Sequence, residues 1–137
     1  MHQEDHFENV EKIGHYLADY NNADKKVLSL FAYFHDIRRR DDGFDGQHGK
    51  RSAQYLKLLY NKNLLDVTDK QFEQLIFACA NHSESNAQSN DITIQTCWDA
   101  DRLDLWRINS KPDPNLLYTE IAKKEETIEY ARKLNKK

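Results

Sequence analysis

The chain has 137 residues, 39% of them hydrophobic and 31% charged, with a formal net charge of −3. This length fits a single folded domain, and the slightly negative charge gives no reason to expect nucleic acid or an anionic membrane as a partner. Because no apolar run approaches the roughly 18 residues of a membrane span and the start is no signal peptide, we expect a cytoplasmic protein with no membrane partner.

Hydrophobic residues recur at helical spacing almost throughout, and four glycines and two prolines are too few for a turn-rich sheet protein. We therefore predict an all-α, compact bundle of about five to seven helices. It would form one domain over residues 1–137, with a core at about 2–106 and a C-terminal helical segment at about 113–137. The expected helices cover residues 4–20, 23–37, 48–60, 69–82 and 92–106, with a last one starting at Pro114.

Two local signals mark helix starts. Thr68 to Gln71 has the pattern of a capping box, in which the first and fourth side chains satisfy each other's backbone amides. Asp113 before Pro114 is typical of a helix start with proline in the first turn. The cysteines, Cys79 and Cys97, fall in apolar helical patterns and are expected to be buried free thiols, which fits a reducing cytoplasm.

His35 and Asp36 close an apolar segment that runs from Val27 to Phe34. Burying an ionised carboxylate without compensation is prohibitive, so a partner must neutralise it. A lone histidine on an apolar face is usually a hydrogen-bonded core residue. Here, however, polar ligand-type residues stand in phase with the apolar stripes of several helices: His6, His35, Asp36, His48, His82 and Asp101. Because core-facing stripes converge, we expect these side chains to meet around a cation.

We predict that His6, His35, Asp36 and Asp101 bind a divalent transition metal. A set of two histidines and two carboxylates suits Mn, Fe, Co, Ni or Zn, with one or two ions per chain. His48 and His82 either complete a second metal site, with Asp36 bridging, or contact a substrate phosphate. The pattern alone does not separate these alternatives.

Three segments carry a family resemblance. They are the first-helix histidine motif His6–Val10, the apolar run Leu30–Asp36 that ends in His-Asp, and Asp99–Asp104, which reads DADRLD. In this order they resemble the HD-domain superfamily of metal-dependent phosphohydrolases, over residues 2 to about 106. Residues 35–53 and 93–105 resemble an uncharacterised bacterial subgroup of that superfamily. One departure is Asn9, where the family motif usually has arginine.

The resemblance implies hydrolysis of a phosphate ester or anhydride, on a nucleotide or another small phosphorylated metabolite. Asp36 would be the catalytic residue, orienting a water molecule or accepting its proton. The local basic residues Arg38, Arg39, Lys50 and Arg51 are candidates for the substrate phosphate, although exposed basic residues are common on any surface. We therefore expect a small anionic phosphate-containing substrate.

Two other functions fit the same residues. An HD-type di-iron oxygenase has this order of ligands when both intervening histidines bind metal, and it would hold two irons and consume O2. A non-catalytic metal-binding or nucleotide-binding module would bind without turnover. We expect Asp104 to anchor the structure through Arg102 or a nearby basic side chain, with orientation of a metal-binding side chain as the alternative. We expect Tyr33 and Trp98 to pack in the core, with contact to a base or sugar of the substrate as the alternative. The oligomeric state stays open.

Overall fold

The computed structural model describes residues 3–37, 47–84 and 86–136, and it confirms the all-α prediction. Within these ranges the chain forms helices and no strand, and two short 3-10 turns cover Asp104–Ile108 and Pro114–Leu116. No helix among the described residues combines the length and apolar character needed to cross a membrane. The helices are α1 (Gln3–Asn21), α2 (Lys25–Phe34), α3 (His48–Asn61), α4 (Asp69–Asn81), α5 (Ile92–Leu103) and α6 (Glu125–Leu134).

Short polar side chains start three of these helices. The predicted capping box is present: the Thr68 hydroxyl accepts from the Gln71 amide at 3.1 Å, and the Gln71 side chain accepts from the Thr68 amide at 3.0 Å. Asp24 and Asp91 cap α2 and α5 in the same way, each accepting two backbone N–H groups. These caps satisfy amides that a helix start leaves without partners, so the helix boundaries follow from local sequence.

Helix α2 lies at the centre and contacts α1, α4 and α5. Val27, Leu28 and Phe31 on α2 are fully buried, as are Cys79 on α4 and Cys97 on α5. Both cysteines are free, as predicted, and burial raises the pKa of each thiol. The end of this buried helix delivers His35 and Asp36 into the core of the bundle.

Of the two aromatic residues predicted to pack in the core, one does and the other does not. Trp98 is buried and donates its indole N–H to the carbonyl of Ala78 at 3.0 Å, which confirms core packing. Tyr33 was predicted to pack in the core, and this is wrong, since 53% of it is exposed. Its ring lies at the edge of α2, 5.8 Å from the ring of Phe7 on α1.

The C-terminal third departs from the predicted helices. Helix α5 ends at Leu103 and tightens into a 3-10 turn, where we expected it to continue to residue 106. The helical segment starting at Pro114 is only one 3-10 turn long, and α6 begins at Glu125. The cause is long-range: buried Asp99 accepts the backbone amides of Tyr118 and Thr119, both at 2.8 Å, and the Thr119 hydroxyl at 2.7 Å. These bonds hold residues 118–119 against α5.

Replacing Asp99 by alanine should lower the free energy of unfolding by about 2–3 kcal/mol, because it leaves one buried amide, one partly buried amide and a hydroxyl without their acceptor. Asp99→Asn keeps one carbonyl acceptor and should cost about half as much. Urea unfolding monitored by circular dichroism measures both. Asp113→Ala, which removes an exposed cap, is the matched control and should cost no more than about 1 kcal/mol. An Asp99→Ala variant as stable as the control would contradict this role.

Candidate metal centre

Five helices or helix ends bring all six predicted ligand residues to one place. α1 contributes His6, the end of α2 contributes His35 and Asp36, and α5 contributes Asp101. His48 is the first residue of α3, and His82 immediately follows α4. The four histidines and Asp36 are buried, and Asp101 is partly buried. In-phase polar residues on separate helices thus converge, as predicted.

We define the first ligand group as His6, His35, Asp101 and the Oδ2 atom of Asp36. The Nε2 atoms of His6 and His35 lie 3.1 Å apart, and Asp101 Oδ1 lies 3.0 Å from the former and 3.3 Å from the latter. Asp36 Oδ2 lies 3.7 Å from His6 Nε2 and 3.5 Å from His35 Nε2. Four potential ligand atoms therefore face a common point.

The second ligand group consists of His48, His82 and the other carboxylate oxygen of Asp36, Oδ1. The two histidine Nε2 atoms are 2.8 Å apart. Asp36 Oδ1 lies 2.9 Å from His48 Nε2 and 3.3 Å from His82 Nε2. The Asp36 carboxylate therefore joins the two groups, with one oxygen directed to each.

These separations match the edges of a metal coordination sphere. Ligand atoms about 2.1 Å from one transition metal ion lie about 3.0 Å apart in an octahedral and about 3.4 Å apart in a tetrahedral arrangement. All but one of the distances above fall between 2.8 and 3.5 Å, the exception being 3.7 Å. The residues therefore fit one ion per ligand group.

In three of the histidines the Nδ1 atom points away from the centre and has an acceptor of its own, so the Nε2 atom is the one that faces the centre. His6 Nδ1 lies 2.7 Å from the Asp104 carboxylate. His35 Nδ1 lies 2.9 Å from the carbonyl oxygen of Phe31, and His82 Nδ1 lies 2.7 Å from that of Cys79. Because carbonyl and carboxylate oxygens only accept, these Nδ1 atoms carry hydrogens. A neutral ring then presents the lone pair of its Nε2 atom to the centre, whereas a protonated ring donates a hydrogen from Nε2 to the carboxylates. Such outer hydrogen bonds are typical of metal-binding histidines.

The electrostatics of the centre favour positive charge. Burial opposes ionisation of Asp36, but hydrogen bonds with His48 and His82 hold the pKa of this carboxyl well below its usual range. His35 and His6 do the same for the pKa of Asp101 against the effect of burial. Burial disfavours protonated His6 as well, yet hydrogen bonds with Asp101 and Asp104 raise its pKa to about 9. Two ionised carboxylates thus draw a cation, either a proton or a metal, to the first ligand group.

The expected partner of Asp104, Arg102, is wrong, whereas the alternative role, orientation of a candidate ligand, agrees with its contact with His6. Arg102 donates instead to the backbone carbonyls of Leu116 and Glu84. Asp104 is fully buried and accepts from His6, from Asn9 and from Asn135. Asn9 lies three residues after His6 on the same helix face, so helical spacing was a usable signal for it. Asn135 had no such signal, because 31 residues separate it from Asp104.

The predicted phosphate contacts stay predictions. Lys50 and Arg51 lie in the first turn of α3, two and three residues after His48, with Lys50 exposed and Arg51 partly buried. Arg38 and Arg39 lie outside the described residues. The carboxylates are the more accessible part of the centre: the side chain of Asp101 is 17% exposed, whereas that of His35 is 0% exposed. Small ligands would therefore reach the centre from the side of the carboxylates.

No family model, curated protein or solved structure matches this chain.

Proposed function

We propose that the protein is a metal-dependent phosphohydrolase with a dinuclear centre. His6, His35, Asp101 and Asp36 would hold one ion, and His48, His82 and Asp36 the other. The observation that carries this proposal is the Asp36 carboxylate, whose two oxygens face two separate sets of histidine nitrogens at 2.9–3.7 Å. A carboxylate shared in this way between two histidine-containing groups is the arrangement expected of a bridging ligand, and both groups include residues predicted from the sequence.

Bound transition metals activate water as a nucleophile and polarise phosphoryl oxygens. The chain's own residues would supply the setting for that chemistry. Asp36 stays ionised and spans the two ligand groups, so its main role would be to bridge and to orient a water molecule, since a carboxylate with a lowered pKa is a weak base. The backbone carbonyls of Phe31 and Cys79 hold His35 and His82 in the ligating orientation.

The preference for a phosphate substrate depends on charge and on the family resemblance. Lys50 and Arg51 lie two and three residues after His48 in the first turn of α3, close in sequence to the second ligand group. Positive side chains beside a metal centre suit the oxygens of a phosphate ester or anhydride. The segments that resemble HD-domain phosphohydrolases include the same ligands. The proposed substrate class is therefore a nucleotide or another small phosphorylated metabolite.

A di-iron oxygenase of the HD type is the second candidate. It requires both intervening histidines at the metal, and His48 and His82 lie 2.8 Å apart beside Asp36. The two candidates differ in metal and in co-substrate: the oxygenase needs two irons and O2, whereas the hydrolase uses divalent transition metals and its co-substrate is water.

We expect protein purified without added metal to contain close to two equivalents of transition metal by mass spectrometry, and to release inorganic phosphate from a panel of phosphate esters and anhydrides. A chelator should abolish this release, and Mn or another divalent transition metal should restore it. His82→Ala should lose the second ion, since it removes one of three ligands from that group. His15→Ala is the matched control, because His15 is bonded to Ser29 outside both ligand groups.

The possible results separate the candidates. Two irons with substrate-dependent O2 consumption and no phosphate release would favour the oxygenase. Protein that holds no metal after incubation with Mn, Fe, Co, Ni and Zn would contradict both.

A further inference from the structure

The buried carboxylate of Asp104 connects the first ligand group to the C-terminal end of the chain. One oxygen accepts from His6 Nδ1 at 2.7 Å. The other accepts from the side-chain amides of Asn135 at 2.7 Å and Asn9 at 3.1 Å. Among the described residues, His6 is the only side chain within ion-pairing distance of the Asp104 carboxylate. Arg107 donates to the backbone carbonyl of Asp104 and not to its carboxylate. Apart from His6, neutral amides therefore satisfy this carboxylate.

The two asparagines use all their amide hydrogens in this arrangement. Asn9 Nδ2 donates to Asp104 Oδ1 and also to Asn135 Oδ1 at 3.1 Å. Asn135 Nδ2 donates to Asp104 Oδ1 and also to the carbonyl of Ala131 at 3.2 Å. Each amide nitrogen has two hydrogens and finds two acceptors, so both side chains have a single preferred orientation. We call Asn9, Asp104 and Asn135 the amide–carboxylate triangle.

Helix α6 holds Asn135 at this position. Ile128 and Ala131 on α6 are buried, and the carbonyl of Ile128 accepts the indole N–H of Trp106 at 3.1 Å. The ring of Tyr130 stacks on that of Tyr16 with 4.5 Å between centroids. Asn135 follows the helix directly, and its backbone amide bonds to the carbonyl of Arg132 at 3.1 Å. These contacts fix Asn135 against the outer side of the first ligand group.

We propose that Asn135 is a positioning residue of the metal centre, which acts through Asp104 on His6. This inference rests on the proposed dinuclear centre. A carboxylate that accepts from a histidine Nδ1 fixes the ring tautomer and strengthens the opposite nitrogen as a ligand. Asn135 holds that carboxylate in place. Loss of its amide leaves a fully buried carboxylate oxygen short of a donor, and the carboxylate then turns towards other donors and away from His6.

The test compares the effect of Asn135→Ala on each ligand group separately. The His82→Ala substitution disables the second ligand group, so metal binding in that background reports on the first group. The His6→Ala substitution disables the first group, so binding in that background reports on the second. Cobalt(II) affinity, measured by titration against a competing chelator, should fall about tenfold in the first background, the lower end of the range for outer hydrogen-bond partners. It should change less than about twofold in the second, since that group has no contact with the triangle. Lys136→Ala, the exposed neighbouring residue, is the control and should change neither.

A substitution of Asn9, the other amide that donates to Asp104, gives an independent test. Asn9→Ala removes the remaining donor to Asp104 Oδ1 and should show the same selectivity for the first group. Asn135→Asp should weaken binding more than Asn135→Ala, because it places a second carboxylate against Asp104. Thermal unfolding of each variant shows whether it is folded.

The outcomes distinguish the inference from the function on which it rests. Unchanged affinity in the His82→Ala background, or equal weakening in both backgrounds, would overturn the positioning role while leaving the dinuclear centre intact. Wild-type protein that binds no cobalt would overturn both. Selective weakening of the first group in Asn135→Ala and Asn9→Ala is the result that supports the inference.

Discussion

For the proposed dinuclear phosphohydrolase, replacing Asp36 by alanine should remove both metal ions and reduce hydrolysis to background. The reason is geometric: one oxygen of this carboxylate faces His6 and His35, and the other faces His48 and His82. Removal of any other ligand affects one group directly, whereas removal of Asp36 takes a ligand and a negative charge from both. Metal content by mass spectrometry and phosphate release from a metal-loaded sample measure the two effects.

Two further variants define what the result means. Asp36→Asn keeps the shape and one carbonyl oxygen but loses the charge, so it should retain less metal than wild type and more than Asp36→Ala. Asp66→Ala removes an exposed carboxylate that pairs with Lys26, and it should keep both ions. If Asp36→Ala kept one ion at wild-type affinity, Asp36 would belong to one group only and the bridging assignment would be wrong.

The candidate ligands could be predicted from the sequence because each stands in a local pattern. His6, His48, His82 and Asp101 fall in phase with the apolar residues of their own helices, and His35-Asp36 ends the most apolar helix of the chain. Helices pack through their apolar faces, so residues on those faces meet without any knowledge of the topology. A local signal of the same kind, the capping box, predicted the helix start at Thr68.

The residues that hydrogen-bond to Asp104 and Asp99, next to the candidate ligand Asp101, could not all be predicted in this way. Arg102 follows Asp101 directly, but its side chain reaches Leu116 and Glu84 and not Asp104. The contact between Asp104 and Asn135 depends on how α6 packs on the rest of the bundle, which no local pattern encodes. For the same reason the segment after Pro114 was predicted as helix: its hydrogen bonds to Asp99 form across 19 and 20 residues of sequence.

Gly49→Ala should selectively weaken the second ligand group. A Cβ atom at this position would lie 2.5 Å from the carbonyl oxygen of Cys79 and 3.1 Å from that of Ala80. Both atoms are backbone, so α3 has to move away from the end of α4. That movement separates His48 from His82, and it also displaces the Cys79 carbonyl that accepts from His82 Nδ1. We expect loss of the second ion and a decrease of about 1–3 kcal/mol in the free energy of unfolding.

Gly14→Ala is the matched control, since it makes the same change inside α1 where the nearest atom is a side chain. Its Cβ would lie 3.2 Å from Cδ2 of Leu28, the end of a side chain that needs to shift by only a few tenths of an ångström. Alanine also favours the helix over glycine by up to about 1 kcal/mol. We expect this variant to keep both ions and to change stability by less than about 1 kcal/mol. If Gly49→Ala kept both ions at wild-type affinity, close contact between α3 and α4 would not be what holds His48 against His82. If it lost both ions, the second group would be needed to keep Asp36 in place for the first.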